Sequence, residues 1–153
     1  MKRLILAAFT GLAALTAAAL PASARDDVTK YTSQAPFADV AADLADAIVN
    51  RGYKVDYHGF IGEMLQRTAE DVGASKKLYR NAEIFQFCSA VVSRAVMEEN
   101  IENIAFCPYV LFVYEAEAEA GTVNVGFRRL PDGEGRDQVN TLLEEIVKEA
   151  AGQ

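Results

Sequence analysis

The sequence predicts an α+β fold, a two-layer sandwich in which helices back a mostly antiparallel sheet of about five strands. Three observations point there. Short segments alternate apolar and polar side chains, the period of a half-buried strand. Between them lie apolar residues spaced by three and four, the period of an amphipathic helix. Near the end, the strand-like segments Phe106–Tyr114 and Val123–Phe127 follow one another, which breaks the strict alternation of a parallel α/β sheet.

Taken in order, Thr29–Ser33 forms a first strand. Pro36 suits the first position of a helix, where its missing N–H costs nothing. Phe37, Val40, Leu44 and Ile48 then make one apolar stripe, and Gly52 stops the helix. Tyr53, Val55 and Tyr57 alternate with Lys54, Asp56 and His58, the pattern of a second strand with one buried face. Ile61, Met64, Leu65, Thr68 and Val72 fall at helical spacing before Gly73. Polar, basic Ser75–Asn81 is expected as a loop.

Ala82–Phe87 is the third strand and runs into a helix over Ser89–Glu99, with Val92, Ala95 and Val96 inward. Phe106–Tyr114 is the most apolar stretch after the leader and is assigned to a central strand, with Pro108 near its start. Glu115–Gly121 connects it to Val123–Phe127 as a hairpin. Pro131-Asp132-Gly133 is a turn. Val139, Leu142, Leu143, Ile146 and Val147 close the chain as an amphipathic helix.

The start of the chain has a different character. Lys2 and Arg3 precede an apolar run from Leu4 to Leu20, then Pro21 and Ala22-Ser23-Ala24. A short positive region, an apolar middle and a small-x-small site are the pattern of a secretory signal peptide. A spanning helix wants about 20 apolar residues, more than this Ala-rich run supplies. The expected organisation is therefore a signal peptide over 1–24 and a single α+β domain over 25–153, delivered to the periplasm or secreted. No later segment is apolar enough for stable membrane insertion.

Charge narrows the partners. The leader holds two of the 15 basic residues and none of the 22 acidic ones, so residues 25–153 carry 13 basic against 22 acidic, a net −9. Such a domain is a poor match for nucleic acid, which requires clustered Lys and Arg, and for anionic lipid. It contains no glycine-rich phosphate loop, no Cys-x-x-Cys, no His-x-x-x-His and no nucleophile elbow. No cofactor is identified by motif, and nothing points to a catalysed reaction.

Few residues remain that carry chemistry. Cys88 and Cys107 lie 19 positions apart, the first where a strand meets a helix and the second where the central strand begins. In an oxidising compartment an even pair suggests a disulfide, worth about 3 kcal/mol for such a loop. Two inert buried thiols, or a functional redox or metal pair with Cys88 activated by a helix N-terminus, are the alternatives. His58 stands on the polar face of the second strand, within reach of a ligand site with Tyr57 or Glu63. Met64 and Met97 are soft donors at or beside helical core positions. Arg128 or its neighbour Arg129 must face away from Phe127, where a guanidinium can hold a carboxylate or phosphate. Glu115, Glu117 and Glu119 make an acidic hairpin tip.

Several of these residues recur in a known pattern. The helix from Phe37 ending in Arg51-Gly52-Tyr53, then Phe87-Cys88, then Phe106-Cys107-Pro108-Tyr109 leading into Val-Leu-Phe-Val-Tyr-Glu, resembles the domain of unknown function 302 family over about Thr29 to Leu130. The resemblance implies a small α+β domain, association as dimers, and cysteines recurring at Cys88 and Cys107. Many relatives order the second motif Pro-Cys where this chain has Cys107-Pro108. The family as a whole implies no enzymatic activity. Three functional expectations follow. The first is a non-enzymatic module binding a ligand or partner near Cys88, Cys107 and His58. The second is thiol redox or sulfur handling by the two cysteines. The third is copper or zinc held by them with His58 or a methionine.

Overall fold

The computed structural model describes residues 27–153. The expected signal peptide over 1–24 lies outside them. The described chain folds as one five-stranded antiparallel sheet with four α-helices, in the order predicted: β1 (Val28–Ser33), α1 (Phe37–Val49), β2 (Tyr57–Gly59), α2 (Ile61–Arg67), β3 (Tyr79–Phe87), α3 (Ala90–Glu99), β4 (Tyr109–Ala116), β5 (Val123–Arg128) and α4 (Arg136–Ala150). A 3-10 turn over Ile101–Phe106 leads from α3 into β4. The strands lie side by side as β1-β5-β4-β3-β2. The β4–β5 hairpin sits at the centre, and the first strand closes back onto the last.

The core lies on one face. Val40, Leu44 and Ile48 of α1 and Val139, Leu143 and Ile146 of α4 are buried at helical spacing, as predicted. They meet the alternating Phe85 and Phe87, then Tyr109, Leu111 and Val113, then Val125 and Phe127. Register carries that alternation across the sheet, because Leu111 pairs with Phe127 and Val113 with Val125. A one-residue slip would turn all these side chains to the other face. Each is worth roughly 1.5–3 kcal/mol buried, so register and core select each other.

Several segments differ from expectation. Pro36 is the N-cap of α1 rather than its first residue, and Gly52 (φ +81°) turns the chain just beyond the C-cap. The second strand pairs only over Tyr57–Gly59, opposite Gln86–Ile84 of β3. β3 ends at Phe87, so Tyr53 and Val55 have no ladder to join and instead pack their side chains onto the core. The helix expected to reach Val72 ends at Arg67, buries no residue, and leaves Val72 74% exposed. The loop expected over Ser75–Asn81 begins β3 at Tyr79, through an irregularity at Tyr79/Asn81. The central strand starts at Tyr109 rather than Phe106 and runs on to Ala116, because residues 101–106 coil into the 3-10 turn.

Candidate functional site

Cys88 follows β3 directly and precedes Ser89, whose Oγ caps α3 by accepting from the Val92 N–H at 3.2 Å. Cys107 closes the 3-10 turn. The sheet pairs Phe87 with Tyr109, which carries both cysteines to one end of two neighbouring strands. They form a bonded pair with Cα atoms 6.2 Å apart, both half-buried. Beneath them Ser93 Oγ lies 3.9 Å from the Cys107 sulfur and 2.9 Å from the Tyr109 hydroxyl. Burial, partly offset by the Ser93 hydrogen bond, pushes the Tyr109 phenol above its ordinary value.

His58 is not on the polar face. It pairs with Phe85 across the ladder, stacks on that ring at 4.2 Å, lies 4.5 Å from the Phe60 ring, and meets Glu83 Oε2 at 2.7 Å. Tyr53 and Val55 reach the core from outside the ladder, so their alternation does not carry into β2, and pairing with Phe85 sets the face of His58. Its partners are these three residues and not the cysteines, so the expected grouping of Cys88, Cys107 and His58 does not assemble. Among the described residues no three of His, Cys, Asp and Glu come together so as to hold a metal ion.

The weaker candidates are scattered. Tyr57 is 51% exposed, with its ring folded over Gly59. Glu63 is exposed in the first turn of α2, and Met64 is 38% exposed rather than a core residue. Met97 is half-buried on α3. Arg128 ends β5 exposed, and Arg129 meets Asp132 at 3.0 Å. The acidic hairpin tip is engaged: Glu117 pairs with Lys77 and Arg80, and Glu115 accepts from Asn81 and the Gly121 N–H.

An apolar hollow lies where no motif pointed, on the sheet face away from α1 and α4. It measures about 450 Å³ and is walled by Ile61 of α2, Ala82 and Ile84 of β3, Phe112 and Tyr114 of β4, and Lys30 of β1. Its floor follows from register. Lys30, Gly126, Phe112, Ile84 and Gly59 form one row across all five strands. Glycine at Gly126 leaves the bare backbone over which the Phe112 ring lies. A Cβ there would stand 2.6 Å from that ring and 2.4 Å from the Thr29 carbonyl oxygen. At the rim Lys30 Nζ donates to Tyr114 Oη and to Asn124 Oδ1, each at 3.1 Å. The signal in the sequence was β4 itself, apolar on both faces where a two-layer sheet needs only one.

An open antiparallel sheet, with α1 and α4 over one face and a hollow beside α2 on the other, defines the class: a small α+β domain with one covered and one partly accessible sheet surface. The chain belongs to the DUF302 family, a domain of unknown function, whose model matches residues 29–150. Among solved structures it is similar to an uncharacterized conserved DUF302 protein from Bacillus stearothermophilus, at 18% identity over 82% of this chain and 99% of that one, with a TM-score of 0.66. That likeness shows the fold. No curated protein matches the sequence.

Proposed function

We propose that this domain is a non-enzymatic binding module of an exported protein, and that it binds through the open face of its sheet. The observation that carries this reading is the apolar hollow of about 450 Å³ opposite the core face. Small-molecule sites span roughly 300–1,000 Å³ and combine apolar walls with a few polar groups. Half-buried Ile61, Ile84 and Phe112 supply the walls. Decanol, a neutral amphiphile, is the simplest probe. Titrated below its solubility limit into isotope-labelled protein, it should give saturable amide shifts centred on these three residues and raise the melting temperature by mass action. Shifts that do not saturate, or that cluster elsewhere, would sink the reading. A second copy is the other occupant such a face suits, and sedimentation equilibrium would report it as a doubled mass.

Export accords with a bonded cysteine pair, which persists in oxidising compartments. An intact mass beginning at Arg25 would support it, and one retaining Met1 would count against cleavage. The half-buried placement of Cys88 and Cys107 also favours a second reading, reversible thiol–disulfide exchange with a protein dithiol. That exchange reduces this pair as it oxidises the partner. A reduction potential below about −300 mV would leave the pair purely structural.

A further inference from the structure

At its lysine end the open-face hollow has more hydrogen-bond donors than acceptors, and the carboxylate among its lining residues, Glu83, is engaged with His58. Lys30 Nζ carries three hydrogens, of which two go to Tyr114 Oη and Asn124 Oδ1. Tyr114 Oη accepts that bond, so its own proton stays available. Asn124 is 2% exposed, and its Nδ2 is buried without an acceptor. The ammonium also stands 5.7 Å from the centre of the Tyr114 ring, held against an aromatic surface. Both oxygens facing Lys30 are neutral, and no carboxylate of the described residues pairs with it. This contrasts with Lys77 and Lys148, each bound to a glutamate.

Resting on the binding reading above, we propose that the hollow takes a small amphipathic anion, a monocarboxylate with an apolar chain or ring. Its headgroup meets Lys30 Nζ and the Tyr114 hydroxyl, and its apolar body lies along Phe112 and Ile84 toward Ile61. A carboxylate offers about four lone-pair sites and accepts only, the complement of this rim. The row of register explains the shape. Gly126 stands between the lysine and Phe112, and both side chains close over its bare backbone, so the head and body sites adjoin.

The test compares three probes of one chain length on the 27–153 fold within the full protein: decanoate and decyltrimethylammonium below their micelle concentrations, and decanol below its solubility limit. Binding is followed by calorimetry and amide shifts. Decanoate should bind at least roughly tenfold more tightly than either of the others, as expected for one charge-assisted hydrogen-bonded contact. Lys30→Gln should abolish that advantage and Tyr114→Phe should reduce it. Lys30 is exposed, so Lys30→Gln is expected to keep the fold, and the wild-type comparison needs no variant. Equal affinity for decanoate and decanol, or full decanoate affinity in Lys30→Gln, overturns the anion assignment alone. Failure of all three probes to bind overturns it together with the binding reading.

Discussion

Asn140 shows how one polar side chain holds two elements together. It is 4% exposed on α4, accepts from the Leu130 N–H at 2.9 Å and donates to the Leu130 carbonyl at 3.0 Å. The segment leaving β5 thus has its backbone satisfied by a residue ten positions on. Asn140→Ala would strand both buried groups and should cost about 2–4 kcal/mol. The check is a lower urea midpoint at unchanged m-value. Gly126 makes the opposite kind of demand, for an absence of atoms. Gly126→Ala would press a methyl to within 2.4 Å of the Thr29 carbonyl and against Phe112. It should destabilise by roughly 2 kcal/mol or more and displace Phe112 from the hollow. A melting temperature within a degree or so of wild type would refute this. Neither role is visible in the sequence, because each depends on a partner that folding brings near.

Between elements, β1 is tied to α4 by a chain of three groups. The Tyr31 hydroxyl donates to Glu144 Oε1 at 2.5 Å, and Lys148 Nζ reaches the same oxygen at 2.8 Å from one turn along. The Lys148 bond, then the Tyr31 bond, hold the Glu144 carboxyl below its ordinary value. Glu144 in turn raises both Tyr31 and Lys148. Asn100 and then Arg136 likewise hold Glu134 down. A lowered carboxyl contributes stability above the unfolded value of about 4.3, which is lost as pH falls through the folded one. Raised Tyr31, Tyr109 and Lys148 contribute below about 10, and that contribution is lost as pH rises through their folded values. Melting temperature should therefore be flat between about pH 5 and 9 and fall on both sides. Glu144→Gln should flatten the acid limb, and an unchanged acid limb would contradict this account.

The cysteine pair works at the same scale, joining the β3–α3 junction to the entry of β4. Replacing both Cys88 and Cys107 by Ser should cost about 3 kcal/mol for a loop of 19 residues. Reductant should lower the wild-type melting temperature and leave the variant unchanged. Element types were legible wherever one segment carries its own pattern: α1, α4 and the β4–β5 hairpin follow from periodicity alone. Misjudged boundaries fall where a neighbour decides. β2 is cut to three residues because β3 ends at Phe87, and α2 is short because it buries nothing.

At the scale of the whole molecule, the two sheet faces differ in kind. One is closed by α1 and α4, while the other leaves a hollow between α2 and β1. If that face is covered by a second copy, Phe112→Asp should yield monomers by sedimentation while the helical face keeps its fold. A monomer at high concentration in the wild type would leave the face to a ligand. No helix of the described residues is long and apolar enough to cross a membrane.

The sequence by itself determined the α+β class, the order of the elements, the apolar stripes that became the core, and the family. The class, order and stripes rest on local period and turn chemistry, which a single segment encodes, and the family resemblance rests on Phe87-Cys88 and Phe106-Cys107-Pro108-Tyr109. For Cys88 and Cys107 the sequence left a disulfide, two inert thiols and a functional pair all open, and the structure bonds them. Only the tertiary structure decided that His58 stacks on Phe85 and stands apart from the cysteines. Only there do Lys30, Tyr114 and Asn124, the last two 84 and 94 positions from the lysine, meet on the open face. The reason is register: which residues share a row across a sheet is settled by all five strands competing to bury one face, and no single segment contains that outcome.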